Sequence, residues 1–150
     1  MLLEKGTFVE AQMLIRKPVD LVFNAFIDPE ITTNFWFTHS SGKIYLHKEV
    51  EWIWEIYQVA TPVLVTELIF NEKISIDWRK PATKVDFLFK KISDDATYVT
   101  INHYGFTENG AELVEKIKDS TGGFTTVLDG LKAFLEYGIN LHLIGDKFLH

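Results

Sequence analysis

A chain of 150 residues, 47% hydrophobic and 14% aromatic, is long enough to bury a core of its own. Its net charge of −6, with no basic block, argues against a nucleic-acid partner. The absence of cysteine excludes disulfides, thiolate metal sites and a cysteine nucleophile.

The leading MLLEKGTFVEAQ has no signal-peptide apolar core, and no stretch reaches membrane-spanning length. The expectation is therefore one domain, 1–150, cytoplasmic and without a membrane partner. Residues 7–16 alternate roughly between apolar and polar and predict a first strand. Lys17-Pro18 ends it, because Pro suits the first position of a helix. Val19, Val22, Phe23 and Phe26 then fall at i, i+3, i+4 and i+7, a short amphipathic helix. Asp28-Pro29-Glu30 starts a second short helix over 29–34, with Asp as cap, Pro at the first position and an acid in the first turn. It runs into Phe35-Trp36-Phe37.

From Gly42 the pattern predicts six strands, 43–47, 49–58, 63–71, 73–79, 83–92 and 97–106. They are punctuated by short polar or Gly/Pro/Asp-bearing turns such as Ala60-Thr61-Pro62, Asn71-Glu72, Lys80-Pro81 and Ser93-Asp94-Asp95. Connections this short favour antiparallel neighbours. Val50, Trp52, Trp54 and Ile56 share one face against Glu49, Glu51 and Glu55, and Val85, Phe87 and Phe89 oppose Asp86, Leu88 and Lys90. One covered face and one wet face is the antiparallel pattern.

Asn109 opens a short helix carrying Leu113, Val114 and Ile117, which Asp119-Ser120-Thr121-Gly122-Gly123 interrupts. A longer helix of about 15 residues, roughly 22 Å, follows over 123–137 and stops at Gly138. Its apolar face is Phe124, Val127, Leu128, Leu131, Phe134 and Leu135, the best candidate to cover the sheet. Gly130, mid-helix, costs about 1 kcal/mol relative to Ala, so either something packs close there or space lies beside it. The tail, 139–150, is apolar for an end segment. It packs back on the domain or contacts a second copy, leaving monomer and homodimer both open.

This order of strand, two short helices, six strands and a long closing helix resembles the α+β helix-grip fold of the START-like (SRPBCC) superfamily, which includes the birch-pollen allergen and the polyketide cyclases. Pro18, Val22-Phe23, Ala25-Phe26, Asp28-Pro29-Glu30 and Phe35-Trp36 resemble the superfamily's opening; Gly123-Phe124, Leu128, Leu131-Lys132 and Leu135-Glu136 resemble its closing helix. The chain is most similar to the family named for the C-terminal domain of the activator of the ninety-kilodalton heat-shock chaperone's ATPase. Ser40-Ser41-Gly42 departs from the family's usual paired glycine. The resemblance implies a curved antiparallel sheet wrapped around the long C-terminal helix, with a cavity between them. It implies a binding module for a small apolar or aromatic molecule. The alternatives are a chaperone-associated partner protein and a cyclase- or hydrolase-like enzyme.

On that fold the aromatic excess becomes a candidate wall. Trp36, Phe37, Trp52, Trp54, Trp78 and Phe87 would meet Val127, Gly130, Leu131 and Phe134 of the helix around the guest. Ordinary core packing accounts for several of them. His103 continues the Val99, Ile101 face and is either a satisfied core histidine or one polar anchor in the cleft. Glu67 is an acid/base candidate if buried, but either face of strand 63–71 could point inward. Glu51 and Glu55 alternate with the tryptophans and read as an exposed strand face rather than a glycosidase pair. His39, His47, His103, His142 and His150 show no HxH or HExxH spacing, and no phosphate-cradling glycine loop or GxSxG occurs. The expectation is no metal, no cofactor and no assembled catalytic set.

Overall fold

The computed structural model describes residues 6–79 and 82–150. The Lys80-Pro81 turn and the start of the leader segment lie outside the described residues. Seven strands form one antiparallel sheet: β1 (Val9–Ile15), β2 (His39–Ser40), β3 (Glu49–Trp54), β4 (Val59–Ile69), β5 (Lys73–Arg79), β6 (Ala82–Ser93) and β7 (Ala96–Tyr104), in the order β1-β7-β6-β5-β4-β3-β2. Helices α1 (Val19–Ile27) and α2 (Pro29–Thr32) follow the first strand, and the long helix α3 (Gly110–Tyr137) crosses the concave face of the sheet. This is the helix-grip fold.

The local signals that place α1 and α2 operate as expected. Asp28 Oδ1 accepts from the Glu30 N–H at 3.0 Å, and Pro29 takes the first helical position. The Thr32 hydroxyl, fully buried, donates to the Ala25 carbonyl at 2.6 Å and joins the two helices into one plug. Phe23 and Phe26 then face Phe89 edge-on at 5.2 and 5.7 Å, closing one end of the sheet.

Several boundaries move, each for a physical reason. Residues 43–47 are not a strand. The edge strand is instead His39–Ser40, paired to Ile53 and Trp52, and His47 sits at φ 64° in a turn. β3 ends at Trp54, because residues 55–57 form a 3-10 turn that Gln58 closes at φ 53°. Ile56 therefore leaves the Trp52, Trp54 face and is exposed. Pro62 does not break β4. It pairs with Glu51 of β3, beyond the last β4–β5 pair at Val63, so its missing N–H lies at a one-sided stretch of ladder. Val63 and Val65 are buried, and a bulge between Val65 and Glu67 shifts the register. Glu67 thereby reaches the outer face, where it meets Lys73 at 2.9 Å.

The largest difference is α3. The break expected at 119–123 is absent, and one helix of 28 residues, about 42 Å long, replaces the short and long helices. The Thr121 and Thr126 hydroxyls turn back on the Ile117 and Gly122 carbonyls, at 2.6 and 2.8 Å, instead of capping a new helix. Gly122 and Gly123 each cost about 1 kcal/mol there. Burial of Phe124, Val127, Leu128 and Leu131 outweighs that cost. The C-terminal half of α3 is clipped to the edge strand β1. Lys132 Nζ donates to the Leu14 carbonyl at 2.8 Å, and Glu136 Oε2 accepts from the Arg16 N–H at 2.7 Å. Phe134, expected on the buried face, is only half-buried and stands outside the core.

The outer face of the sheet is not uniformly wet. The register aligns Glu67, Ser75, Asp86, Asn102 and Glu10 across neighbouring strands. Asp86 is 4% exposed there and accepts from Ser75 Oγ at 2.8 Å and from the Tyr104 hydroxyl at 3.2 Å. No helix among the described residues is long and apolar enough to cross a membrane.

After α3 the chain reverses at Gly138 (φ 67°) and His142 (φ 57°) into a last short helix, α4 (Leu143–Asp146). The tail packs back on the domain. The Tyr57 hydroxyl reaches the Ile144 and Gly145 carbonyls at 2.6 and 3.1 Å and accepts from the Phe148 N–H at 3.3 Å.

Candidate functional site

Between the sheet and α3 lies a cleft of about 570 Å³. Its inner wall is built from Trp36, Trp54, Trp78, Phe124, Val127 and His103. Each comes from a different structural logic. Trp36 follows α2 and is held by rings on every side: Phe37 at 5.6 Å, Trp52 at 4.9 Å, Trp78 at 6.3 Å and Phe124 at 5.9 Å. Trp54 and Trp78 project from β3 and β5 with their rings 6.0 Å apart. Phe124 and Val127 are a turn apart on α3. Toward the mouth the wall becomes mixed, with Tyr57, Phe106 and Phe148 beside Lys116 and Asp119.

The other residues expected in the wall stand elsewhere. Trp52 and Phe37 stack on each other at 4.8 Å and 18°, so each covers the other and neither faces the cleft. Phe87 and Leu131 are 2% and 0% exposed, in the core behind the wall. Phe134 lines no part of the cleft. Gly130 borders a second, smaller chamber of about 170 Å³ on the other side of Trp36 and Trp54. A Cβ at Gly130 would come within 3.2 Å of the Phe35 carbonyl oxygen and 3.3 Å of Phe35 Cβ. Of the two sequence readings, close packing is therefore the principal one at this position.

His103 combines its two readings. It faces the cleft from β7, yet both nitrogens are engaged: Nδ1 lies 2.7 Å from Ser120 Oγ on α3, and Nε2 lies 2.7 Å from Thr83 Oγ1 on β6. Phe106 and Phe124 stand at 4.6 and 5.6 Å from the ring. Burial lowers its pKa from 6.5 to about 4, so the imidazole is neutral at pH 7. One nitrogen then donates and the other accepts, with the two hydroxyls turned to match.

A serine hydroxyl 2.7 Å from an imidazole has the spacing of a nucleophile and its base. Here the imidazole is a weak base, and its second partner is a threonine hydroxyl rather than a carboxylate. The arrangement suits holding a polar group in place better than moving a proton. Glu67 is remote from it on the outer face, paired with Lys73, and Glu51 and Glu55 are exposed. Among the described residues, no three His, Cys, Asp or Glu side chains gather as a metal site.

Sequence reasoning missed Phe124, Ser120, Thr83, Tyr57 and Ile144 as site residues. Phe124 was legible as helix face. Ser120 and Thr83 were not, since one lay in the supposed helix break and the other at a strand start. The apolar tail was the signal for Ile144.

The sequence model of the family described as activator of Hsp90 ATPase homolog 1-like protein matches residues 16–136. No curated protein matches the chain. Among solved structures, protein SSP2350 from Staphylococcus saprophyticus superposes with TM-score 0.80 at 25% identity, over 90% of this chain and 96% of that one. The Aha1 dimer from Colwellia psychrerythraea gives 0.73 at 16% identity, over 88% and 98%. DynU16, described as a putative protein in the dynemicin biosynthetic locus, gives 0.78 at 16% identity, over 89% of this chain and 48% of its own.

Proposed function

The chain belongs to the activator of Hsp90 ATPase homolog 1-like family, and from that membership we propose that it binds a small apolar or aromatic molecule in the cleft between the sheet and α3. The observation that carries the reading is the cleft itself. Its volume of about 570 Å³ falls within the range of small-molecule sites, and its inner wall is rigid and aromatic with one convergent polar group. Flat rings pack against Trp36, Trp54, Trp78 and Phe124 at little entropic cost, because those side chains are already fixed by one another. The Ser120 hydroxyl, held by His103, offers the guest one hydrogen bond.

All four tryptophans belong to one ring cluster, three of them in the cleft wall, so the intrinsic fluorescence reports directly on occupancy. Tryptophan fluorescence and thermal shift across flavonoids, fatty acids and aromatic ketones test the reading. At least one class should quench the emission and raise the melting temperature; if every compound leaves both signals unchanged, the reading fails.

The family description also supports a second reading, a partner of a heat-shock chaperone. A dose-dependent rise in ATP turnover on adding the pure protein to its cognate chaperone would promote it; no rise is expected from this chain alone. A hydrolase-like activity would have to run through Ser120 and His103, and ester hydrolysis abolished by Ser120→Ala would be its signature.

A further inference from the structure

We propose that Ile144 sets the size of the guest, acting as the movable partition between the main cleft and the smaller chamber beside it. The inference rests on the ligand-binding reading above. The two cavities, of about 570 and 170 Å³, share three walls: Trp36, Trp54 and Ile144.

The first two walls are fixed. Trp36 is 7% exposed within its cage of rings, and Trp54 is 9% exposed on a strand paired on both sides. Ile144 is different. It is half-buried on α4, a four-residue helix with no buried residue, too short to hold itself together. That helix hangs between the left-handed His142 and the Tyr57 hydroxyl. It also lies outside the segment matched to the family, which ends at residue 136.

The chamber behind it is suited to an unbranched apolar extension. Phe35, Leu141 and Leu143 line it, beside the polar Asn34, Thr38 and Asn140. A guest with a flat ring in the main cleft and a short alkyl chain fits the native protein. A longer chain must displace Ile144 to enter the chamber.

The test is a homologous series of n-alkylphenones, from acetophenone to dodecanophenone, titrated by tryptophan fluorescence into the native protein, Ile144→Ala and Ile144→Phe. Each methylene buried should tighten binding about fourfold, roughly 0.8 kcal/mol, until the available space is filled. The plateau should come at a longer chain in Ile144→Ala and at a shorter one in Ile144→Phe. A plateau at the same length in all three proteins overturns the inference while leaving the binding reading intact. If no phenone binds any of them, the binding reading loses this class of guest, and acrylamide quenching judges the partition without a guest. Ile144→Ala should raise the quenching of Trp36 and Trp54 through the joined chambers. Equal quenching, with an unchanged melting curve, would show that Ile144 separates nothing.

Discussion

His103 gives this fold a pH dependence that can be worked out in advance. Burial between Ser120 and Thr83, with Phe106 and Phe124 against the ring, sets its folded pKa at about 4 against 6.5 unfolded. The hydroxyls on either side could both accept from an imidazolium, so hydrogen bonding does not forbid the charge; removal from water does. Lys116, Lys147 and Asp119 are the charged groups on the same cleft, two cationic and one anionic, so they do not favour an imidazolium there. Below pH 6.5 the unfolded chain takes up a proton that the folded chain refuses. Stability is therefore fully present above 6.5, falls as the pH drops toward 4, and is flat below that. Between pH 7 and pH 5 the loss from this residue comes to about 2 kcal/mol. The other described histidines, His39, His47, His142 and His150, are exposed and cancel in a comparison with His103→Gln. Urea melts of the two proteins at pH 7, 6 and 5 should thus converge by about that amount as the pH falls. Parallel curves would mean that His103 is not held neutral and that the cleft wall is wetter than its geometry implies.

Two further substitutions probe the helix face. Leu131, fully buried, should cost about 2–5 kcal/mol as Leu131→Ala, and half-exposed Phe134 less than that as Phe134→Ala; the reverse order in urea melts would mean α3 is rotated in its groove. Gly130→Leu should destabilise by about 1–3 kcal/mol despite the gain in helix propensity, since its Cβ meets the Phe35 backbone at 3.2 Å; a melting temperature at or above that of the native chain would show that Phe35 yields freely.

What the sequence determined by itself was set by neighbours a few residues apart. The cap at Asp28 and Pro29, the i, i+3, i+4 face through Phe124, Val127, Leu128 and Leu131, and the stop at Gly138 are local devices, and each is where the pattern placed it. The alternation of Val85, Phe87 and Phe89 gave the covered face of β6 for the same reason. Tertiary structure decided what local energies leave nearly balanced. Asp119 to Gly123 is a poor helix on propensity, yet the cost is small beside the apolar area that an unbroken α3 buries. Trp52 and Trp54 share a strand face and were indistinguishable until Phe37, distant in the chain, stacked on one and left the other facing the cleft. The hydroxyls of Ser120 and Thr83 meet His103 only because β6, β7 and α3 converge, and the tail closes over the cleft only because Tyr57 lies beneath it. Contacts between residues 17 to 88 positions apart leave no periodic trace, because the spacing that creates them is set by the folded chain and not by the helix or strand repeat.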